Sequence, residues 1–138
     1  MDGTAVAGPL EVLEERRRVV LARDMAAFAD LFAADAVIEM PFGAGGMPVR
    51  LTGQDEIRAF STRSGGARVE LTDLRTTAVH QTLDPEVVIV ELRSIGRVVG
   101  TGERFDVPCV QLFRIRDGRI LLFRDYIDTA AMPRIGAA

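Results

Sequence analysis

The 138-residue chain contains no lysine, no asparagine and no tryptophan, and all seventeen positive side chains are arginine. Without lysine there can be no Schiff-base aldolase and no lysine-anchored pyridoxal phosphate. Without asparagine there is no N-glycosylation acceptor. A single cysteine, Cys109, rules out an internal disulfide framework and fits a reducing compartment. Cys109 and the one histidine, His80, are too few for a multi-ligand zinc site. The sequence holds no phosphate loop, no Gly-x-Gly-x-x-Gly fingerprint and no Gly-x-Ser-x-Gly elbow to recruit Ser61, Ser64 or Ser94 to a triad with His80. No apolar run approaches the ~20 residues of a membrane-spanning helix. Met1 to Pro9 lacks the basic and apolar regions of a signal peptide. A net charge of −3 supplies no basic face for nucleic acid or an anionic membrane. These absences predict a cytoplasmic protein without metal or organic cofactor.

What is present suits one domain spanning 1–138, with an ordered core over about 9–130, since 48 % of residues are apolar and 27 % charged. Leu10, Leu13, Val20 and Leu21 recur at helical spacing over 10–22. Asp24 is placed to cap a second helix whose stripe is Met25, Phe28, Leu31 and Phe32. Val37 to Phe42 reads as a short strand ended by Pro41, and the glycine-rich 43–48 as a loop. Gln54 to Thr62 returns to helix with Ile57 and Phe60 inward. From residue 68 the period becomes two, and extended runs near 69–80, 86–99, 103–116 and 119–128 are separated by turn residues. Short links between such runs predict an antiparallel meander with the helices gathered on one side, an α+β fold.

Alternation along these runs defines an apolar face with three hydrogen-bonding intruders, Ser94, Gln111 and Asp125. A carboxylate there is costly when ionised, so its pKa rises toward the range useful for general acid–base chemistry. The competing reading is a structural carboxylate paired with arginine. Gln111 is either a donor to a substrate oxygen or a satisfied core amide. Ser94 is expected to bond to backbone, Cys109 to be a buried, inert thiol, and His80 to lie at the rim. Arg16, Arg17 and Arg18 form a solvated helix face from which one arginine can turn into a pocket. The loop 43–48 is either a flap over a pocket mouth or a plain surface loop.

The run Leu31-Phe32-Ala33-Ala34-Asp35-Ala36-Val37-Ile38-Glu39-Met40-Pro41-Phe42, the run Leu51 to Arg58, and the ending Phe113 to Asp128 resemble the SnoaL-like and ketosteroid-isomerase-like proteins of the nuclear transport factor 2-like superfamily. The resemblance implies a cone-shaped α+β barrel, a curved antiparallel sheet wrapped around N-terminal helices, with a deep apolar pocket. It also implies a homodimer formed through the sheet face, where Ile120 and Leu122 are expected to point outward. Arg16, Met40 and Gln111 fall where ketosteroid isomerases carry a tyrosine, an aspartate base and an acidic donor. Met40 cannot move a proton, which excludes ordinary steroid isomerisation. Asp125 falls on the second catalytic aspartate of limonene-epoxide hydrolases, while Leu92 and Ser94 replace that family's arginine and first aspartate. The resemblance thus implies a cofactor-independent enzyme of isomerase, cyclase or epoxide-opening type, in secondary metabolism, acting on a hydrophobic oxygenated substrate. Asp125 would be its acid–base and Gln111 its oxygen-holding group, with Arg16, Met40, Phe42, Leu92, Ser94, Cys109 and Phe123 around the substrate. The alternative is a non-catalytic ligand-binding or dimerisation module of the same fold.

Overall fold

The structure is a computed structural model and describes residues 6–43, 49–65, 69–131 and 133. Helix α1, Pro9–Leu21, starts at a proline, whose fixed φ and missing N–H suit a first helical turn. It buries Val12, Leu13, Arg16 and Val19. Leu10, expected inward, is instead exposed. The buried set recurs at steps of three and four, so Arg16 lies in the middle of the apolar face. Helix α2, Met25–Asp30, is capped by Asp24, whose Oδ1 accepts the Ala27 N–H at 3.1 Å.

The apolar stripe expected to continue α2 through Phe32 does not stay helical. Strand β1 covers Phe32–Glu39, so it begins before Val37 and stops short of Pro41 and Phe42. Tertiary pairing explains the difference. Phe32 registers with Ile120, the Ile120 N–H donates to the Leu31 carbonyl, and the Gln54 amide bonds to the carbonyls of Ala29 and Phe32. Strand β2, Arg50–Thr52, then leads into α3, Gln54–Phe60, and a π-helical turn, Ser61–Gly65. Four long strands follow as the period-two pattern predicts: β3 Val69–Gln81, β4 Val87–Val98, β5 Arg104–Arg116 and β6 Arg119–Ile127.

The sheet order is β2-β1-β6-β5-β4-β3. The meander β3 to β6 is antiparallel, but β1 runs parallel to β6, so the sheet is mixed rather than purely antiparallel. It does not close, and β2 and β3 are its edges. Register shifts in the β3–β4, β5–β6 and β1–β6 pairs bend it, because each extra residue kinks its strand and increases the twist. At Gly96 the chains come so close that a Cβ would sit 2.2 Å from the Glu70 carbonyl oxygen.

The helices cover the concave face, and Val12, Val19, Phe32, Ile57, Val107 and Phe113 fill the core between the layers. Ile120 belongs to this core and is fully buried, which corrects the expectation that it points outward. The cause is local. Ile115 pairs with Ile120 and Arg114 with Leu122, so the skipped Leu121 reverses the strand's parity. Among the described residues no helix is long and apolar enough to cross a membrane.

Candidate active site

Strand β5 alternates cleanly and turns Cys109, Gln111 and Phe113 toward the helices. On β6 the residue directly opposite Gln111 is Asp125, which places both on the concave side. Arg16 reaches the same region from α1: its guanidinium carbon lies 5.0 Å from the centre of the Phe113 ring. Phe113 in turn stacks on Phe123 with ring centres 4.6 Å apart. Three polar side chains from three elements thus meet on an aromatic floor.

Their electrostatics are unusual for a core. Burial raises the Asp125 carboxyl from 3.8 to about 6, against the Gln111 hydrogen bond and the Arg16 charge, both of which lower it. Burial likewise brings Arg16 down to about 10, opposed by the charges of Asp125 and Cys109. Arg16 is only 6 % exposed and Gln111 4 %. Arg16 Nε, Gln111 Oε1 and Asp125 Oδ1 are enclosed with no hydrogen-bond partner. Among the described residues no ion pair joins Arg16 to Asp125, although each feels the other's charge. A group that titrates near neutrality, a fixed cation and an amide, all with free hydrogen-bonding capacity, can hold a polar substrate atom and exchange a proton with it.

The other expected site residues divide between two faces. Leu92 and Cys109 are buried cross-strand neighbours on the concave side, with Ser94 and Phe123 also buried. The Ser94 Oγ and Cys109 Sγ lie 3.5 Å apart, and the thiol reaches the Val107 carbonyl at 3.6 Å. Burial pushes that thiol up to about 11. Met40, just after β1, is half-buried and its N–H donates to the Val49 carbonyl at 2.8 Å. Phe42 does not join the Asp125 group. It is 68 % exposed and meets the edge of Tyr126, the residue after Asp125 and therefore on the other face of β6. Phe42 and Tyr126 border a groove of about 520 Å³ on the convex side, with Glu91, Pro108 and Val110. His80 also faces outward, 2.6 Å from Glu91 Oε2. Residues 44–48, most of the expected flap, lie outside the described residues.

Sequence reasoning missed Phe113 as the platform for Arg16. Helical spacing with Val12, Leu13 and Val19 marks Arg16 as inward-facing, but nothing in the sequence marks Phe113 as its partner. Among the described residues no group of three or more His, Cys, Asp or Glu could hold a metal ion.

Known proteins share this fold. The chain is 28 % identical over 116 residues to the uncharacterized protein YesE of Bacillus subtilis, covering 84 % of this chain and 78 % of that one. A Bacillus subtilis crystal structure provisionally named an isomerase superposes with a TM-score of 0.82 at 27 % identity, over 88 % of this chain and 87 % of that one. A Mycobacterium tuberculosis protein in complex with estradiol-17beta-hemisuccinate superposes with a TM-score of 0.74 at 24 % identity, over 93 % of this chain and all of the other. The SnoaL-like domain matches residues 13–123, from within α1 to the middle of β6, and the chain belongs to the SnoaL-like family.

Proposed function

We propose that the chain is a cofactor-independent enzyme acting on a small, hydrophobic, oxygenated molecule by isomerisation, cyclisation or epoxide opening. The observation that carries this reading is the trio of buried Arg16, buried Gln111 and half-buried Asp125, each with an enclosed polar atom that no protein group satisfies. Asp125 shuttles the proton, Gln111 holds a substrate oxygen, and Leu92, Cys109, Phe113 and Phe123 supply apolar walls. An acid that titrates near neutrality is suited to both giving and taking a proton at physiological pH. The same fold bears a steroid hemisuccinate in one protein and a provisional isomerase name in another, which supports an apolar ligand and proton-transfer chemistry here. The working compartment is proposed to be the cytoplasm and the pathway one of secondary metabolism.

The test is turnover of a panel of aryl epoxides and β,γ-unsaturated cyclic ketones by the parent protein and D125N. The reading expects at least one substrate whose conversion falls roughly a hundredfold in D125N, the scale of general acid–base catalysis. Undiminished turnover in D125N rules Asp125 out as the acid–base.

A second reading, a ligand-binding module without chemistry, is favoured by the Arg16 charge acting on Asp125, which supplies a counter-ion. It predicts that Asp125 stays ionised well below pH 6 and that D125N loses ligand affinity without any activity to lose. Either version is proposed to form a homodimer through the convex sheet face, where Val110 is 41 % exposed beside Tyr126 and Phe42. Light scattering of V110R against the parent tests this: a dimeric parent and a monomeric variant support it, and a monomeric parent removes it.

A further inference from the structure

Arg16 poses a problem that the proton chemistry of Asp125 does not solve. A guanidinium offers five N–H donors, yet among the described residues this one makes no hydrogen bond and no ion pair, although it is almost fully buried. Its neighbours in sequence are engaged elsewhere: Arg17 with Asp73 at 2.9 Å, and Arg18 with Glu15. The Phe113 ring face satisfies the cation's charge in part but accepts none of its directional bonds. A buried cation left in this state is strongly disfavoured unless a further acceptor completes it.

The chemistry of that acceptor follows from the donors. A ketone or epoxide oxygen accepts one or two bonds and brings no charge of its own. A carboxylate matches the guanidinium fork with two parallel bonds and neutralises it. We propose that the interior site takes an apolar molecule carrying one carboxylate, seated on Arg16 above Phe113, and that its binding drives a proton from solvent onto Asp125. This rests on the proposed function above and narrows its substrate class.

Proton uptake follows from counting charges. With the ligand in place, two carboxylates share one cation in a low-dielectric interior, and one of them must be neutral. The groups facing Asp125 are Arg16 from α1 and Cys109 and Gln111 from β5, of which only Arg16 is a cation. On β1, Glu39 is engaged by Arg124 at 3.1 Å and Arg50 at 3.6 Å and does not enter this balance. Asp125 is already raised to about 6, so it is the group that yields. The protonated acid is then the form that can donate to a substrate oxygen.

Calorimetry with phenylpropanoate and its neutral isostere phenylpropanamide tests the inference on the unmodified protein. Titrations near pH 7 are run in buffers of different ionisation enthalpy, which reports protons exchanged. The expected result is roughly tenfold tighter binding of the acid, with close to one proton taken up per ligand. R16M should abolish the preference by weakening the acid far more than the amide, and D125N should bind the acid without proton uptake. Equal or tighter binding of the amide, or heats that do not vary with buffer, overturns the inference even if Asp125 still serves as an acid–base. Failure of both probes to bind overturns this inference and counts against the interior site as a whole.

Discussion

Gln111 and Asp125 sit directly across from each other on β5 and β6, both turned toward the helices. Gln111 Oε1 and Asp125 Oδ1 are both enclosed without partners, so the two side chains face inward with hydrogen-bonding capacity to spare. Of the influences that favour the ionised carboxyl, the neighbouring Gln111 amide is the larger and the Arg16 charge the smaller.

Carboxyl-carbon NMR of Q111L and R16M should therefore show the Asp125 midpoint displaced upward from its parent value in both variants. The displacement should be greater for Q111L. A downward shift in either would mean that the neighbour opposes ionisation rather than favouring it.

Stability should carry the same signature. In the folded protein Asp125 keeps its proton up to about 6, whereas the unfolded chain releases it near 3.8. The group's contribution is full below the unfolded value, declines as pH rises through that window, and is flat above it, a loss of about 3 kcal/mol at most. D125N lacks this decline. Urea midpoints measured from about pH 4 to 7 should show the variant gaining steadily on the parent and then holding a constant margin. A margin that shrinks as pH rises contradicts the raised carboxyl.

The thiol of Cys109 is held near 11 by burial and lies behind Ser94. At pH 8 and without denaturant, modification by a disulfide reagent should be on the order of a hundredfold slower than in urea, because only opened molecules expose a thiolate. Rapid labelling of the folded protein would place the thiol at an accessible surface.

Gly96 lets β3 and β4 approach where the register shifts, with no room for a methyl group against the Glu70 carbonyl. G96A should cost about 1–3 kcal/mol, the usual scale of forced overpacking, read as a drop in urea midpoint. An unchanged midpoint would show that β3 is free to move aside.

The strands were legible in the sequence because a sheet with one buried face writes its register directly into alternation: Phe105, Val107, Cys109, Gln111, Phe113 and Ile115 all turn inward as their spacing predicts. Asp125 was found for the same reason. Ile120 was not, because parity is lost at a bulge and nothing in the residues around Leu121 marks where the partner strand skips. The spacing of Phe32 to Met25 and Phe28 predicts helix; only the parallel pairing with β6, far along the chain, pulls it into a strand. The resemblance alone places Phe42 around the substrate, whereas β1 ends at Glu39 and the Phe42 ring packs on Tyr126 instead. The Arg16–Phe113 contact joins a helix and a strand distant in sequence, a pairing that neither periodicity can supply.

The account stands on the ionisation of Asp125 in the unmodified protein. Following its carboxyl carbon by NMR from about pH 3 to 8 should give an apparent pKa of about 6, well above the 3.8 of an unperturbed aspartate. A midpoint below 3.8 would instead show a permanently ionised, structural carboxylate, and the proton-shuttle role of Asp125 would be contradicted.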